Sequence, residues 1–170
     1  MEQKTFGCNA GFSMPELLVV VAAVCIILAS AVPFVDTIID QYNVVLAAQG
    51  LSSQMQYARM RAVSSNETFC VRFGPMANGY RIETENGAVH AGPFQFPPGI
   101  TFNNDDGGDP VSFPGDQVLF MPNGSLPTSG LGSAGRVKLI SRTGLRIDVL
   151  VDGGGLIRQT PAYTDSTPPF

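Results

Sequence analysis

Few side chains in this sequence have the type and spacing to do chemistry, and most of them stand alone. The single histidine, His90, lies between Val89 and Ala91 in a strand-like stretch, so it reads as a surface or packing residue and no multi-histidine site is available. Cys8, Cys25 and Cys70 are spaced too widely for a zinc site or a C-x-x-C redox motif. Cys25 sits in an apolar run and Cys70 in an expected strand, and both read as small buried hydrophobes. Asp105, Asp106 and Asp109 form an acidic run without the calcium-loop spacing or its distal glutamate, as a solvated loop would. Gly153, Gly154 and Gly155 lack the following Lys-Ser/Thr of a phosphate loop and read as a hairpin turn. No enzyme activity, cofactor or metal is expected from this set.

Glu16 is the exception. It directly precedes residues 17–35, LLVVVAAVCIILASAVPFV, 19 residues without a charge. At ~1.5 Å per residue that run can cross a hydrocarbon layer of ~30 Å. A carboxylate abutting such a helix is expensive and marks function. If the chain is cut after Gly11, the new amine on Phe12 stands four residues from Glu16. An amine of the same or a neighbouring subunit then neutralises the carboxylate only when subunits stack correctly. Competing readings are a secretory signal peptide cut at Ala29-Ser30-Ala31, a signal anchor, and a buried core helix. A secretory leader normally carries several cations, and this one has Lys4 offset by Glu2.

The elements around this segment follow from periodicity. After Pro33, apolar residues fall at Val35, Ile38, Ile39, Tyr42, Val45 and Leu46, and then, past a phase slip near Gly50, at Leu51, Met55, Ala58 and Ala62. The spacing predicts one helix from about residue 13 to 64, long for a globular domain, with its first half in a membrane and its second half on a head. Ser64, Ser65 and Asn66 end it. Beyond it, short strands are expected at 68–73, 80–84, 100–103, 118–121, 136–140, 145–151 and 156–158, separated by Gly, Pro and Asn clusters, as in an antiparallel sheet. Residues 103–114 read as a polar, acidic loop, and 160–170 as a Pro-rich tail that frays.

Composition agrees with one folded domain: 170 residues, 44% hydrophobic and 14% charged, with 19 Gly and 13 Pro. The net charge of −4 excludes the global basic field of duplex-DNA binders. Locally, Arg136, Lys138, Arg142, Arg146 and Arg158 outnumber Asp148, Asp152 and Asp165, a balance of +2 over residues 136–170. That is a solvated strand face or a weak, salt-dependent nucleic-acid contact.

Residues 11–21, GFSMPELLVVV, resemble the type IV prepilin leader, with Gly, then Phe, then Glu at the fifth position after the cut. Pro33 falls at position 22, where pilin helices often carry a kinking proline. Pro15 departs from the usual aliphatic residue, and a first helical turn tolerates it. The body resembles the H-type pseudopilins of type II secretion and the FimT-like minor pilins, through MQYARMRAVSSNETFCVRF (55–73), FMPNGSLPTSG (120–130) and ISRTGLRIDVLVDGGGLIR (140–158). FimT-like DNA-uptake proteins carry a Gly-Arg-x-Arg motif, and here Leu156 replaces its first arginine in Gly155-Leu156-Ile157-Arg158.

The resemblance implies an α+β, pilin-like fold, a long N-terminal helix packed on a small antiparallel β-sheet head. It implies that a prepilin peptidase cuts between Gly11 and Phe12 and methylates the Phe12 amine, leaving 159 residues. The parts are then a leader at 1–11, a transmembrane half-helix at 12–35, a periplasmic head at 36–160 and a flexible tail at 161–170. Glu16 is the assembly residue and Pro33 the kink. The partners implied are other pilins or pseudopilins, the inner-membrane assembly platform and membrane lipid, with DNA as the alternative. The protein would cross the inner membrane once, hold its head in the periplasm or in an extracellular filament, and prime or cap assembly.

Overall fold

The computed structural model describes residues 13–74, 78–104 and 108–164, without the side chains of residues 30–37. The chain divides into two compact units, Met1–Thr37 and Ile38–Phe170. The first holds the beginning of helix α1 (Met14–Ser65). The Ser13 carbonyl accepts the first bonds of that helix, from the Glu16 and Leu17 N–H groups at 3.0 and 3.2 Å. Pro15 sits in this first turn, where a missing N–H leaves no carbonyl unpaired.

The second unit contains the rest of α1 and eight strands: β1 (Phe69–Gly74), β2 (Gly79–Thr84), β3 (Val89–Gln95), β4 (Ile100–Phe102), β5 (Gln117–Phe120), β6 (Gly135–Ser141), β7 (Arg146–Val151) and β8 (Ile157–Gln159). They form two four-stranded sheets, β3-β2-β1-β5 and β4-β6-β7-β8, in which every pairing is antiparallel. This is the α+β, pilin-like arrangement, with the expected sheet divided in two. Strand alternation sends Phe69, Val71 and Phe73 of β1, and Ile147, Val149 and Val151 of β7, into one core. That core also takes Val44, Ala47, Ala48, Leu51, Met55, Ala58 and Ala62 from α1.

The helical period is as expected from Leu51 onward, but the buried face before it is not the expected one. Ile38, Ile39, Tyr42 and Leu46 are 40–63% exposed and Val45 is half-buried against the core, while Val44, Ala47 and Ala48 are buried. Both sets have helical spacing. The face that enters the core carries the alanines, and periodicity alone does not choose between two apolar faces.

The helix ends through local chemistry. Ser64 and Ser65 Oγ donate to the Arg61 carbonyl at 3.2 and 2.7 Å, and Asn66 turns the chain with φ 56°.

Three further expectations change. The strand-like stretch around His90 extends to Gln95 as β3, past Gly92 and Pro93, and most of its residues are exposed. The stretch 103–114 is partly core: Asn103, Val111 and Phe113 are buried, and Val111 bridges Val137. The C-terminal segment is tied down as far as Tyr163, whose backbone exchanges hydrogen bonds with Arg146 at 2.8 and 3.0 Å. Of the tail expected at 161–170, residues 165–170 lie outside the described residues.

Candidate functional site

The N-terminal turn of α1 carries Glu16, an acid where the helix dipole favours one. The residues that follow are apolar on every side and exposed: Leu17, Leu18, Val19, Val20, Val21, Val24, Ile26, Ile27 and Leu28 are each 48–71% exposed. A helix that is apolar all round is built to be covered by a membrane or by other helices. Among the described residues, no helix is long and apolar enough to cross a membrane. The expected span at 17–35 runs into residues 30–37, whose side chains are not described. Gly11, Phe12 and the side chain of Pro33 lie outside the described residues.

The five basic residues of the C-terminal region do not act as one free patch. Arg142 Nη2 lies 3.2 Å from Oδ1 of buried Asp40, tying the β6–β7 turn to α1. Arg136 Nη1 lies 3.8 Å from Asp148 Oδ2, and the Asp148 side chain is 1% exposed. Lys138 is the cross-strand partner of Asp148, and Arg146 of Ile140. Arg158 is exposed on β8.

His90 and Cys70 are structural, whereas Cys25, expected to be buried, is exposed on α1. His90 Nε2 is 3.2 Å from Tyr57 Oη, and its ring meets the edge of Phe69 at a centroid distance of 5.1 Å. These contacts hold β3 against α1 and β1. Burial pushes the Cys70 thiol up to about 11, which leaves it unreactive at neutral pH. Among the described residues, no three His, Cys, Asp or Glu side chains are grouped to hold a metal.

Two features were not foreseen. The first is Arg59, whose Nε donates to the Gly124 carbonyl at 2.8 Å and whose Nη2 donates to the Gly154 carbonyl at 3.3 Å. One helix side chain thereby clasps the turn after β5 and the turn after β7. Those turns touch so closely that a Cβ on Gly155, at φ 75°, would overlap the Gly124 carbonyl oxygen. This explains why glycine stands in both of the stretches that resemble family motifs.

The second is an ion cluster on the first sheet. Arg72 and Arg81 are cross-strand partners on β1 and β2. Each donates its Nε to the carboxylate of Glu83, Arg72 at 2.9 Å. The Glu83 side chain is 4% exposed, and those of the arginines 44% and 49%. Burial, the largest influence, pushes the Glu83 carboxyl up, but the hydrogen bonds and charges of Arg72 and Arg81 together outweigh it and leave it below its ordinary value. Alternation places Arg81 and Glu83 on one strand face. The sequence therefore held this signal, but only once the β1–β2 register is known.

Residues 47–155 match the family of type II transport protein GspH. The chain belongs to the GspH family. Members of the GspH family are structural subunits, minor pseudopilins or minor pilins that are membrane-anchored or filament-associated and pack with other pilins in a filament. The matched region runs from the head half of α1 to the β7–β8 turn, and the segment around Glu16 lies outside it.

Among curated proteins, none matches. Two solved structures share the GspH-family fold. The minor pseudopilin EpsH from the Type 2 Secretion System of Vibrio cholerae has a TM-score of 0.51 and 11% identity, over 69% of this chain and 95% of that one. The type IV minor pilin FimU of Pseudomonas aeruginosa has a TM-score of 0.53 and 18% identity, over 75% of this chain and 97% of that one.

Proposed function

We propose that this GspH-family subunit is cut between Gly11 and Phe12 by a prepilin peptidase, methylated at the Phe12 amine, held in the inner membrane by residues 12–35, and drawn from there into a filament whose assembly it primes or caps. The observation that carries the reading is the α1 segment headed by Glu16, apolar on every side and exposed. Such a surface needs a membrane or neighbouring helices to cover it. The exposed stripe of Ile38, Ile39, Tyr42 and Leu46 adds a second face suited to a neighbouring subunit. Residues 36–160 then form the periplasmic head, and the assembly platform of the inner membrane is the first partner. The family's structural role argues against catalysis.

Intact-mass measurement tests the processing step. A mature chain beginning at methylated Phe12 is expected, whereas one beginning at Val32 overturns the reading in favour of a cleaved signal peptide. Glu16→Gln tests the assembly step. The variant should be processed and folded as the wild type, because Glu16 lies in a different compact unit from the head. Its recovery in filaments should fall, on the order of a hundredfold if pairing with a neighbour's amine drives entry. Undiminished co-purification with partner pilins would refute charge pairing.

DNA contact through Arg136, Lys138, Arg142, Arg146 and Arg158 is less well supported, because Asp148 and Asp40 already engage Arg136 and Arg142.

A further inference from the structure

We propose that Arg72 and Arg81 form a carboxylate-binding site that takes an acidic segment of a partner protein. The two arginines line a cleft of about 400 Å³ together with Gly74, Gly79, Phe94 and Gln95. That volume lies within the ~300–1,000 Å³ range of sites that enclose a small ligand. Gly74 and Gly79, paired across β1 and β2 next to the arginine pair, add no side chain to its lining. Gly79 has no room for one, since a Cβ there would overlap the Phe94 carbonyl oxygen.

The electrostatics point the same way. Glu83 is buried and holds both guanidiniums through their Nε atoms. It fixes the orientation of two forks while neutralising one of their two charges, so the cluster keeps one net positive charge in a chain of −4. A planar guanidinium whose Nε is already held presents its outer N–H groups in the geometry that matches a carboxylate. Phe94 and Pro93 supply apolar wall beside these groups, which suits a peptide side chain next to the acid.

A nucleic-acid backbone fits less well. Phosphate binding gains strength from many contacts in a row, and this cleft offers one pair of arginines. The choice of a protein partner rests on the filament reading given above, while the site itself does not.

The test is titration of the full-length chain in detergent micelles with a capped Glu-Phe-Glu peptide. Binding is followed by isothermal calorimetry and by the NMR resonances of the arginine Nε–H groups. Saturable binding that moves the Arg72 and Arg81 resonances is expected, with no response to a capped Lys-Phe-Lys peptide. Arg81→Gln should weaken binding at least tenfold, and Arg81→Lys should not restore it, because lysine keeps the charge and loses the fork. Arg72 still holds Glu83 in both variants, so an unchanged circular dichroism spectrum shows that the head is intact. Absence of saturable binding, or equal affinity in Arg81→Gln, overturns the proposal. Tighter binding of inorganic phosphate or of a single-stranded oligonucleotide at the same resonances overturns it in favour of a phosphate site. An uncleaved leader in the intact-mass experiment would remove the filament reading and leave this measurement unaffected.

Discussion

The two sheets solve the same problem in different ways. Each carries a nearly buried carboxylate on a strand, Glu83 on β2 and Asp148 on β7. A buried acid needs hydrogen bonds and a counter-charge, or it is paid for in stability. On the first sheet two arginines cover Glu83, and their half-exposed guanidiniums stay available to a ligand. On the second, the chain covers Asp148 with its own C-terminal segment. Tyr163 Oη donates to Asp148 Oδ1 at 2.7 Å, the Asp148 N–H donates to Thr160 Oγ1 at 2.9 Å, and Arg136 stands further off at 3.8 Å. Two close arginines thus cover Glu83, whereas a tyrosine hydroxyl and one more distant arginine cover Asp148. Of the basic residues in 136–170, Arg136 and Arg142 are each engaged by an acid.

The largest effect in this comparison should come from removing the cover of Glu83. The double variant Arg72→Gln/Arg81→Gln leaves an uncompensated buried carboxylate and should lose about 3–5 kcal/mol, measured as a shift of the urea midpoint of the full chain in micelles. A loss below about 1 kcal/mol would mean that water reaches Glu83. The same pair predicts an acid limb. The Glu83 carboxyl is lowered in the folded state, so its contribution is fully present above the ordinary carboxylate range, near pH ~4.3, and is lost as pH falls through the lower folded value. Thermal melts from neutral to acid pH should show this slope in the wild type and a flatter one in Glu83→Gln.

On the second sheet the effects should be smaller. Tyr163→Phe deletes one hydrogen bond to a charged group and should cost about 1.5 kcal/mol, with faster hydrogen exchange at Tyr163 and Arg146. Equal exchange in the two proteins would mean that the backbone pairing alone holds the segment. Arg136→Gln should cost least, under about 1 kcal/mol, because its side chain is 40% exposed and its ion pair is long. An Arg136→Gln loss as large as that of the Arg72/Arg81 variant would erase the distinction between the sheets.

Much of the molecule was legible from local rules. Seven of the eight strands were anticipated, since each alternates apolar residues between Gly, Pro or Asn clusters. β3 was legible only as the strand-like stretch at Val89–Ala91, because an exposed strand holding Gly92 and Pro93 has no apolar alternation to read further. The end of α1 was legible in Ser64, Ser65 and Asn66, whose side chains and backbone close it without distant help. The Arg72–Arg81–Glu83 cluster and the Arg59 clasp were not, because both depend on residues brought together by strand register and by the meeting of two turns.

By itself the sequence determined the length and period of α1, the positions of most strands and the apolar run behind Glu16. These are properties of neighbours along the chain, set by side-chain spacing and turn chemistry. Tertiary structure alone decided which of two apolar faces of α1 enters the core, that the strands divide into two sheets, and which cations are engaged. The face holding Ala47, Ala48, Ala58 and Ala62 entered the core with residues of both sheets. Ile38, Tyr42 and Leu46, equally regular in spacing, were left exposed. Spacing names the candidates for burial, and only the fit of volumes between packed elements selects among them.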